Sequence, residues 1–402
     1  MRGAGIAAFA STLQRTLVPP VLPAVPGLEL ACHYKTASPQ EVGGDFYDVF
    51  PIGAGRWAFF LGDVCGKGAE AASVTSLTRY TLRAAALVDA DPTAALKALN
   101  TALLLDATVG TRFCTTIFGL LDPARDGGFT VTLATGGHPP AYHLTPAEGG
   151  GVRVEAVRAK GGMLVGAIAE AAFASRTLHL APGQGLLLYT DGLTEARTAD
   201  GHMLADTGLT DFLAQRRGPV SAGRLFDDTV ALLDTLPGTE RDDVAGPVRP
   251  HPRCRSRGHH HHRSQRRRPD RLRQAGEPTP MTDALHIHVP HTDGTLAVIA
   301  LSGECVITTA PAVRARALEL ITAGHPDLVA DLAGVTFCDS SGLGALIGIW
   351  RCAKEADGSL TLAAIPDRLS RLLAFTGMDT FLPVHPTADA ALAARQGNRT
   401  TA

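Results

Sequence analysis

No two cysteines in this chain sit at C-x-x-C spacing; the seven, at 32, 65, 114, 254, 305, 338 and 352, are scattered. That scatter excludes a disulfide framework and a zinc site of the usual ligand spacing, and it points to a reducing compartment. Long apolar runs are equally scarce. None approaches the roughly 18 residues that suggest a membrane span, and the N-terminus lacks the basic, apolar and small-residue order of a secretory signal. We therefore expect a cytoplasmic protein with no membrane partner. Between residues 246 and 280 there is no aromatic residue and almost no aliphatic one. No core can be built from that stretch, and it offers no stacking platform for bases.

What is present divides by charge. At 402 residues the chain is long enough for about two or three domains, each with its own core. The net charge of −2 conceals −6 over 1–245, +8 over 246–280 and −4 over 281–402. Two acidic bodies thus flank a basic tract that holds ten Arg, six Pro and the run His259–His262. Any nucleic-acid footprint is confined to that tract. Without aromatics there, we expect no nucleic-acid partner. The histidine run reads as low-complexity sequence before it reads as a metal site.

Periodicity supplies the order of elements. Residues 1–20 read as an N-terminal linker helix, with Phe9, Leu13 and Leu17 at helical spacing until Pro19-Pro20 stop it. That helix also offers a route to a homodimer. Over 21–245, strands are expected at Leu28–Tyr34, Phe46–Phe50, Trp57–Leu61, Thr115–Leu121 and Phe129–Ala134. Helices are expected at Ala69–Leu87, Pro92–Leu105, Leu209–Gln215 and Leu225–Leu236. No βαβ rhythm repeats, so the class is α+β and layered rather than doubly wound. From residue 281 to 402, strands at Leu296–Leu301, Leu328–Leu332 and Leu360–Ala364 alternate with helical segments, the pattern of a small α/β domain.

Acidic residues beside glycine recur where the strands of the first body end. They stand in Glu41-Val-Gly-Gly-Asp45-Phe-Tyr-Asp48, Gly62-Asp63-Val-Cys-Gly66-Lys-Gly68, Tyr189-Thr-Asp191-Gly192 and Arg241-Asp242-Asp243. Any one of these is ordinary loop punctuation. Brought together, three or four carboxylates would share one pocket. Two unit charges about 4 Å apart repel by ~4 kcal/mol near a protein surface, so such a cluster requires a counter-cation or partial protonation. Hard oxygen ligands with no Cys/His pattern point to magnesium or manganese.

Six stretches, taken in order, resemble the SpoIIE/RsbU group of PPM-type serine/threonine phosphatases over residues 11–245. They are Leu13-Gln-Arg-Thr-Leu-Val-Pro-Pro, Glu41-Val-Gly-Gly-Asp-Phe-Tyr-Asp, Gly62-Asp-Val-Cys-Gly-Lys-Gly, Gly136-Gly-His-Pro-Pro, Tyr189-Thr-Asp-Gly-Leu-Thr-Glu and Asp242-Asp243. Leu301-Ser-Gly-Glu, Leu328-Val-Ala-Asp-Leu and Asp339-Ser-Ser-Gly-Leu-Gly resemble the STAS domain of anti-sigma-factor antagonists over residues 284–395. The first resemblance implies a β-sandwich flanked by helices, with two divalent cations, manganese or magnesium, roughly 4 Å apart. These would activate a bridging water for attack on a phosphoserine. It implies Asp63 as the bridging ligand, the Val64 carbonyl beside it, and Asp45, Asp191 and Asp242 completing the catalytic set. Asp243 ranks below Asp242, and Asp48 and His138 are weaker candidates. The second resemblance implies Ser340 as a phosphoacceptor at a helix N-terminus, where a phosphate is tolerated. Together they imply a phosphatase acting on a phosphorylated STAS antagonist protein, through its own Ser340 or in trans. The implied partner is an anti-sigma-factor kinase, and the outcome is control of a sigma factor by partner switching.

Plainer readings stand beside these. Asp48 would cap or pair locally, His138 would be a structural turn histidine, Cys65 a small buried filler, and Ser340 a helix N-cap. The wider rival is a non-enzymatic STAS antagonist carrying a degenerate phosphatase scaffold. One departure from the family pattern favours that rival: after Val244 an apolar strand should close the sheet, and here the basic tract begins instead. We read 246–280 as a disordered linker at a fusion or frameshift junction. A missing strand would leave a sheet edge exposed.

Overall fold

A computed structural model of the chain describes residues 17–19, 21–34, 44–198, 200, 202–217, 220–236, 248–250 and 285–399. The expected helix before Leu17, Asp242, Asp243, His259–His262 and most of the basic tract lie outside the described residues. Among the described residues, no helix is long and apolar enough to cross a membrane.

Ten described strands build the first body: β1 (Leu28–Leu30), β2 (Asp45–Gly53), β3 (Arg56–Val64), β4 (Cys114–Pro123), β5 (Phe129–Gly136), β6 (Ala141–Pro146), β7 (Val152–Val157), β8 (Ser175–Leu180), β9 (Gly185–Leu187) and β10 (Val248–Pro250). They form two five-stranded sheets, in the orders β2-β3-β4-β5-β8 and β1-β10-β9-β6-β7. The period-2 alternation of β3 and β4 explains why two sheets are needed. Phe59, Leu61, Ile117 and Leu121 point one way and meet Leu28, Ala141, Leu186 and Leu188 of the second sheet. Phe60, Phe118 and Leu120 point the other way, against helices α1 (Ala69–Val88) and α2 (Pro92–Leu105) through Val74, Leu82, Leu96, Leu99 and Leu103. Burying each such side chain contributes about 1.5–3 kcal/mol. The helix α2 starts cleanly, because Asp91 accepts from the Thr93 amide at 2.9 Å and Pro92 fills its first turn.

Three more helices lie after β9: α3 (Asp191–Glu195), α4 (Ala205–Ala214) and α5 (Ala222–Thr235). Leu209, Leu213, Leu225 and Leu233 cover Tyr142, Leu144 and Leu187 on the outer face of the second sheet. The result is helices, sheet, sheet and helices in layers, an α+β sandwich as expected.

The structure corrects the reading of the junction. Val248–Pro250, inside the tract expected to be linker, is a strand. It pairs antiparallel with β1 in the register Leu28↔Pro250 and Leu30↔Val248, and meets β9 at Val248↔Leu186. The sheet is therefore closed at the place where an exposed edge was expected. Composition misled here because a ladder needs backbone N–H and C=O groups rather than apolar side chains.

In the second body, β11 (His286–Asp293), β12 (Leu296–Cys305), β13 (Asp327–Cys338), β14 (Ser359–Ala363) and β15 (Val384–His385) form one sheet in sequence order. The β11–β12 pair is antiparallel, and the remaining pairs are parallel. Four helices complete it: α6 (Ala310–Thr322), α7 (Ser340–Glu355), α8 (Asp367–Thr376) and α9 (Ala388–Arg399). The central strand β13 is buried on both faces, as parallel strands usually are. Leu328, Ala330 and Leu332 join Val313, Leu346 and Leu373, while Val329 joins Val298, Ala363 and Ala391.

A buried ion pair fastens the first sheet to α1. The Asp48 side chain is 3% exposed and accepts from Arg79 Nε at 3.0 Å and Arg83 Nη1 at 2.7 Å. Asp48→Ala is expected to destabilise the first body by about 3 kcal/mol, the usual cost of breaking a buried pair. Urea or thermal unfolding reads this directly, and an unchanged midpoint would show that the pair contributes nothing.

Candidate functional site

The pleat decides which acids meet. In the β2–β3 ladder Asp45 stands directly opposite Asp63, so the two carboxylates rise from the same face of the sheet, about 5 Å apart at Cβ. Asp48 lies three residues beyond Asp45 and therefore falls on the opposite face, where it holds Arg79 and Arg83. The structure gives Asp48 a structural post and takes it out of the site. Asp191 arrives from the second sheet as the first residue of α3, just after β9. Thr190 Oγ1 donates to Asp45 Oδ2 at 2.9 Å, which ties the two sheet ends together. Asp45 is 3% exposed, and Asp45, Asp63 and Asp191 line one cleft with Gly66, Lys67 and Glu195.

Glycine is required at the floor of this cleft. A Cβ added to Gly44 would lie 2.5 Å from the Val64 carbonyl oxygen and 2.6 Å from Asp63 Oδ1. The backbone here is thus pressed against oxygens, and the Val64 amide donates to the Gly44 carbonyl at 3.1 Å.

His138 bridges the two sheets. Its Nε2 donates to the Tyr189 carbonyl at 3.1 Å, which leaves Nδ1 to accept from Thr115 Oγ1 at 3.0 Å. Both ring nitrogens are occupied, and burial, slightly offset by the Tyr189 bond, lowers its pKa from 6.5 to about 3. The plainer reading of His138 fits this geometry. Cys65 is likewise buried, and burial, with Asp63 and Asp339 adding to it, pushes its thiol up. A redox-sensitive thiolate is disfavoured there.

The second body supplies the rest of the site. Asp339 caps α7, its side chain accepting from the Gly342 amide at 2.9 Å. The cap is therefore Asp339, and Ser340 opens the first turn of the helix. Ser340 faces the first body: it lines the acidic cleft with Asp45, Asp63 and Asp191, and an adjoining cavity with His138, Arg158 and Arg371. The Cys65 thiol donates to the Ser340 carbonyl at 3.1 Å.

Comparison with known families agrees with this layout. The first body matches the family described as stage II sporulation protein E (SpoIIE) over residues 53–246, and the second matches a STAS domain over residues 288–384. The chain is a SpoIIE-family domain joined to a STAS domain. The anti-sigma-B factor antagonist of Bacillus subtilis is 33% identical over 86 residues, 21% of this chain and 78% of that protein. The phosphoserine phosphatase RsbU of Bacillus subtilis is 25% identical over 195 residues, 48% of this chain and 55% of RsbU. Protein IcfG of Synechocystis sp. is 26% identical over 257 residues, 54% of this chain, which spans only 39% of IcfG. The crystal structure of RsbU and RsbW domains from Mycobacterium tuberculosis matches at 25% identity and a TM-score of 0.47, covering 75% of this chain and 72% of that one.

In the SpoIIE-family domain the carboxylates of Asp45, Asp63, Asp191 and Glu195 line the cleft, and the Val64 carbonyl lies close to Gly44, another of its lining residues. In kind this set suits a hard divalent cation. Among the described residues, no three His, Cys, Asp or Glu side chains draw together into a closed metal-holding group. Asp242 and Asp243, expected to complete such a set, lie outside the described residues. The sequence reading passed over Glu195, although the i, i+4 spacing from Asp191 on one helix was a sufficient signal. It also passed over Lys67, Arg158 and Arg371, whose relation to the cleft only the fold reveals.

The tie made by His138 sets an acid limit. An unfolded chain takes up this proton below about 6.5, while the folded chain takes it up only near 3. Stability is thus expected to fall as pH drops through that window. His138→Gln, which cannot titrate, should flatten the slope in urea unfolding followed across the same range. An identical slope in the variant would remove His138 from the account.

Proposed function

We propose that the chain is a metal-dependent serine/threonine phosphatase whose substrate is a phosphoserine on a STAS antagonist, its own Ser340 or a counterpart in trans. The observation that carries this reading is Ser340 lining the same cleft as Asp45, Asp63 and Asp191. Asp45, Asp63, Asp191 and the Val64 carbonyl, with Asp242, would hold two divalent cations, manganese or magnesium. Bound there, such ions supply Lewis-acid activation of water for in-line displacement.

The chain's own groups do the remaining work. Thr190 fixes the rotamer of Asp45, and Asp63 holds its charge opposite it. Lys67, lining the cleft, and Arg158 and Arg371, lining the adjoining cavity, would supply positive charge for the phosphoryl oxygens. The start of α7 presents Ser340 with helix amides beside it, which favours an anion on the hydroxyl until the water attacks. The serine oxygen leaves with the electron pair of the P–O bond and takes up a proton. No cysteine nucleophile is needed.

Downstream, the dephosphorylated STAS domain would engage an anti-sigma-factor kinase in the cytoplasm and release a sigma factor by partner switching. The relatives named for those roles support this placement.

The decisive test uses the full chain carrying phosphoserine at 340. Phosphate release should require manganese or magnesium, stop with chelator, and fall by roughly 10²–10³ in Asp63→Asn. No metal-dependent release from the wild-type chain would favour the rival, a non-enzymatic STAS antagonist on a degenerate phosphatase scaffold.

A further inference from the structure

The contact between the two domains is built well beyond Ser340. Leu343, Leu346 and Ile347 of the STAS domain share one apolar cluster with Cys65, Phe113 and Leu164 of the phosphatase domain. Along the same face of α7 stand Gly344 and Gly348. A Cβ at Gly344 would lie 2.8 Å from Cys65 Sγ, and one at Gly348 would lie 2.9 Å from Thr111 Cγ2. The helix can approach this closely only because both positions carry no side chain.

One turn further, Arg351 ends the contact with a clamp on backbone alone. Its Nε donates to the Ala167 carbonyl at 2.9 Å and its Nη1 to the Gly110 carbonyl at 3.3 Å, while Nη2 donates to the Gly166 and Ala167 carbonyls. From α6, Arg314 Nη1 adds a bond to Thr111 Oγ1 at 3.1 Å. A planar guanidinium with fixed donors suits three diverging carbonyls, and a lysine does not.

We propose that α7 is a docking helix, read by the phosphatase rim at 110–113 and 164–168, and that its occupant is the chain's own STAS domain. Gly344 and Gly348 set the distance and Arg351 sets the register, so that Ser340 falls over the acidic cleft. This rests on the phosphatase reading for its purpose but not for its test. In the docked state the chain fills its own active site in cis, and a foreign STAS protein must displace that module to be processed. Arg351 is a positioning residue: it touches no reacting atom.

The full chain reports docking through its own thiols. Cys65 is covered by α7, whereas Cys114 is buried in the phosphatase core whether or not the STAS domain is seated. Alkylation by iodoacetamide, followed cysteine by cysteine by mass spectrometry, should proceed about tenfold faster at Cys65 in Arg351→Ala, the factor given by about 1.4 kcal/mol of lost docking energy. Gly344→Leu should do the same, and Arg351→Lys should not restore protection. In all three, Cys114 should stay protected, which separates undocking from unfolding. Hydrolysis of 4-nitrophenyl phosphate with manganese should rise in Arg351→Ala, since the helix no longer occupies the mouth of the cleft. Unchanged Cys65 labelling in both Arg351→Ala and Gly344→Leu would overturn the docking proposal. A chain inert towards 4-nitrophenyl phosphate that still shows the labelling change would count against the phosphatase reading alone.

Discussion

Two carboxylates, Asp45 and Asp63, stand opposite one another across an antiparallel pair, and most of the site follows from that opposition. Like charges so placed repel and destabilise the ladder that holds them. The sandwich nonetheless keeps both, one of them almost wholly buried. Thr190 offsets part of the cost with a hydrogen bond from the facing sheet. The rest calls for positive charge or partial protonation, and Lys67 lines the same cleft. Oxygen ligands of this kind suit hard cations, and the proposed metal dependence rests on that match.

The same electrostatics bears on α7. A phosphate on Ser340 would bring nearly two negative charges into a space already lined by Asp45, Asp63, Asp191, Glu195 and Asp339. Helix amides, Arg158 and Arg371 favour that arrival, and the acids oppose it. Docking and the proposed chemistry would therefore depend on the same charges. The Arg351 clamp sits far enough along α7, on neutral carbonyls, to be insensitive to them.

Much of this was legible in the sequence, for reasons that can be traced to residues. Asp45, Asp63 and Asp191 stood beside turn-forming glycines at strand ends, and strand ends are where a sandwich gathers its loops. The alternation Phe59, Phe60, Leu61 marked a strand buried on both faces. The parity of Asp45 and Asp48 was also available, since three residues along a strand must put them on opposite faces. Strand β10 was hidden because Val248–Pro250 lies in an Arg/Pro-rich tract, and backbone pairing leaves no mark on side-chain composition. Strand β11 was missed as well: its alternation runs His286, Ile287, His288, Val289, with only half the residues apolar. Arg351 could not have been found from the sequence, because its partners are carbonyls contributed by residues about 180 to 240 positions away.

This last point bears on how the domain contact could select its partner, since its Arg351 clamp reads backbone carbonyls. A carbonyl cannot be mutated away, so the rim of the SpoIIE-family domain constrains the shape of what it binds more than its composition. A partner helix must lack side chains where Gly344 and Gly348 lie, and must carry a planar, many-donor cation one turn beyond. Those are demands on backbone approach and donor geometry, and both must be met before Ser340 can reach the cleft. Selection among STAS domains would then operate some 6 to 17 Å from the reacting hydroxyl, by helical rise alone. The acidic cleft, common to any phosphoserine, would be left to do chemistry without discriminating.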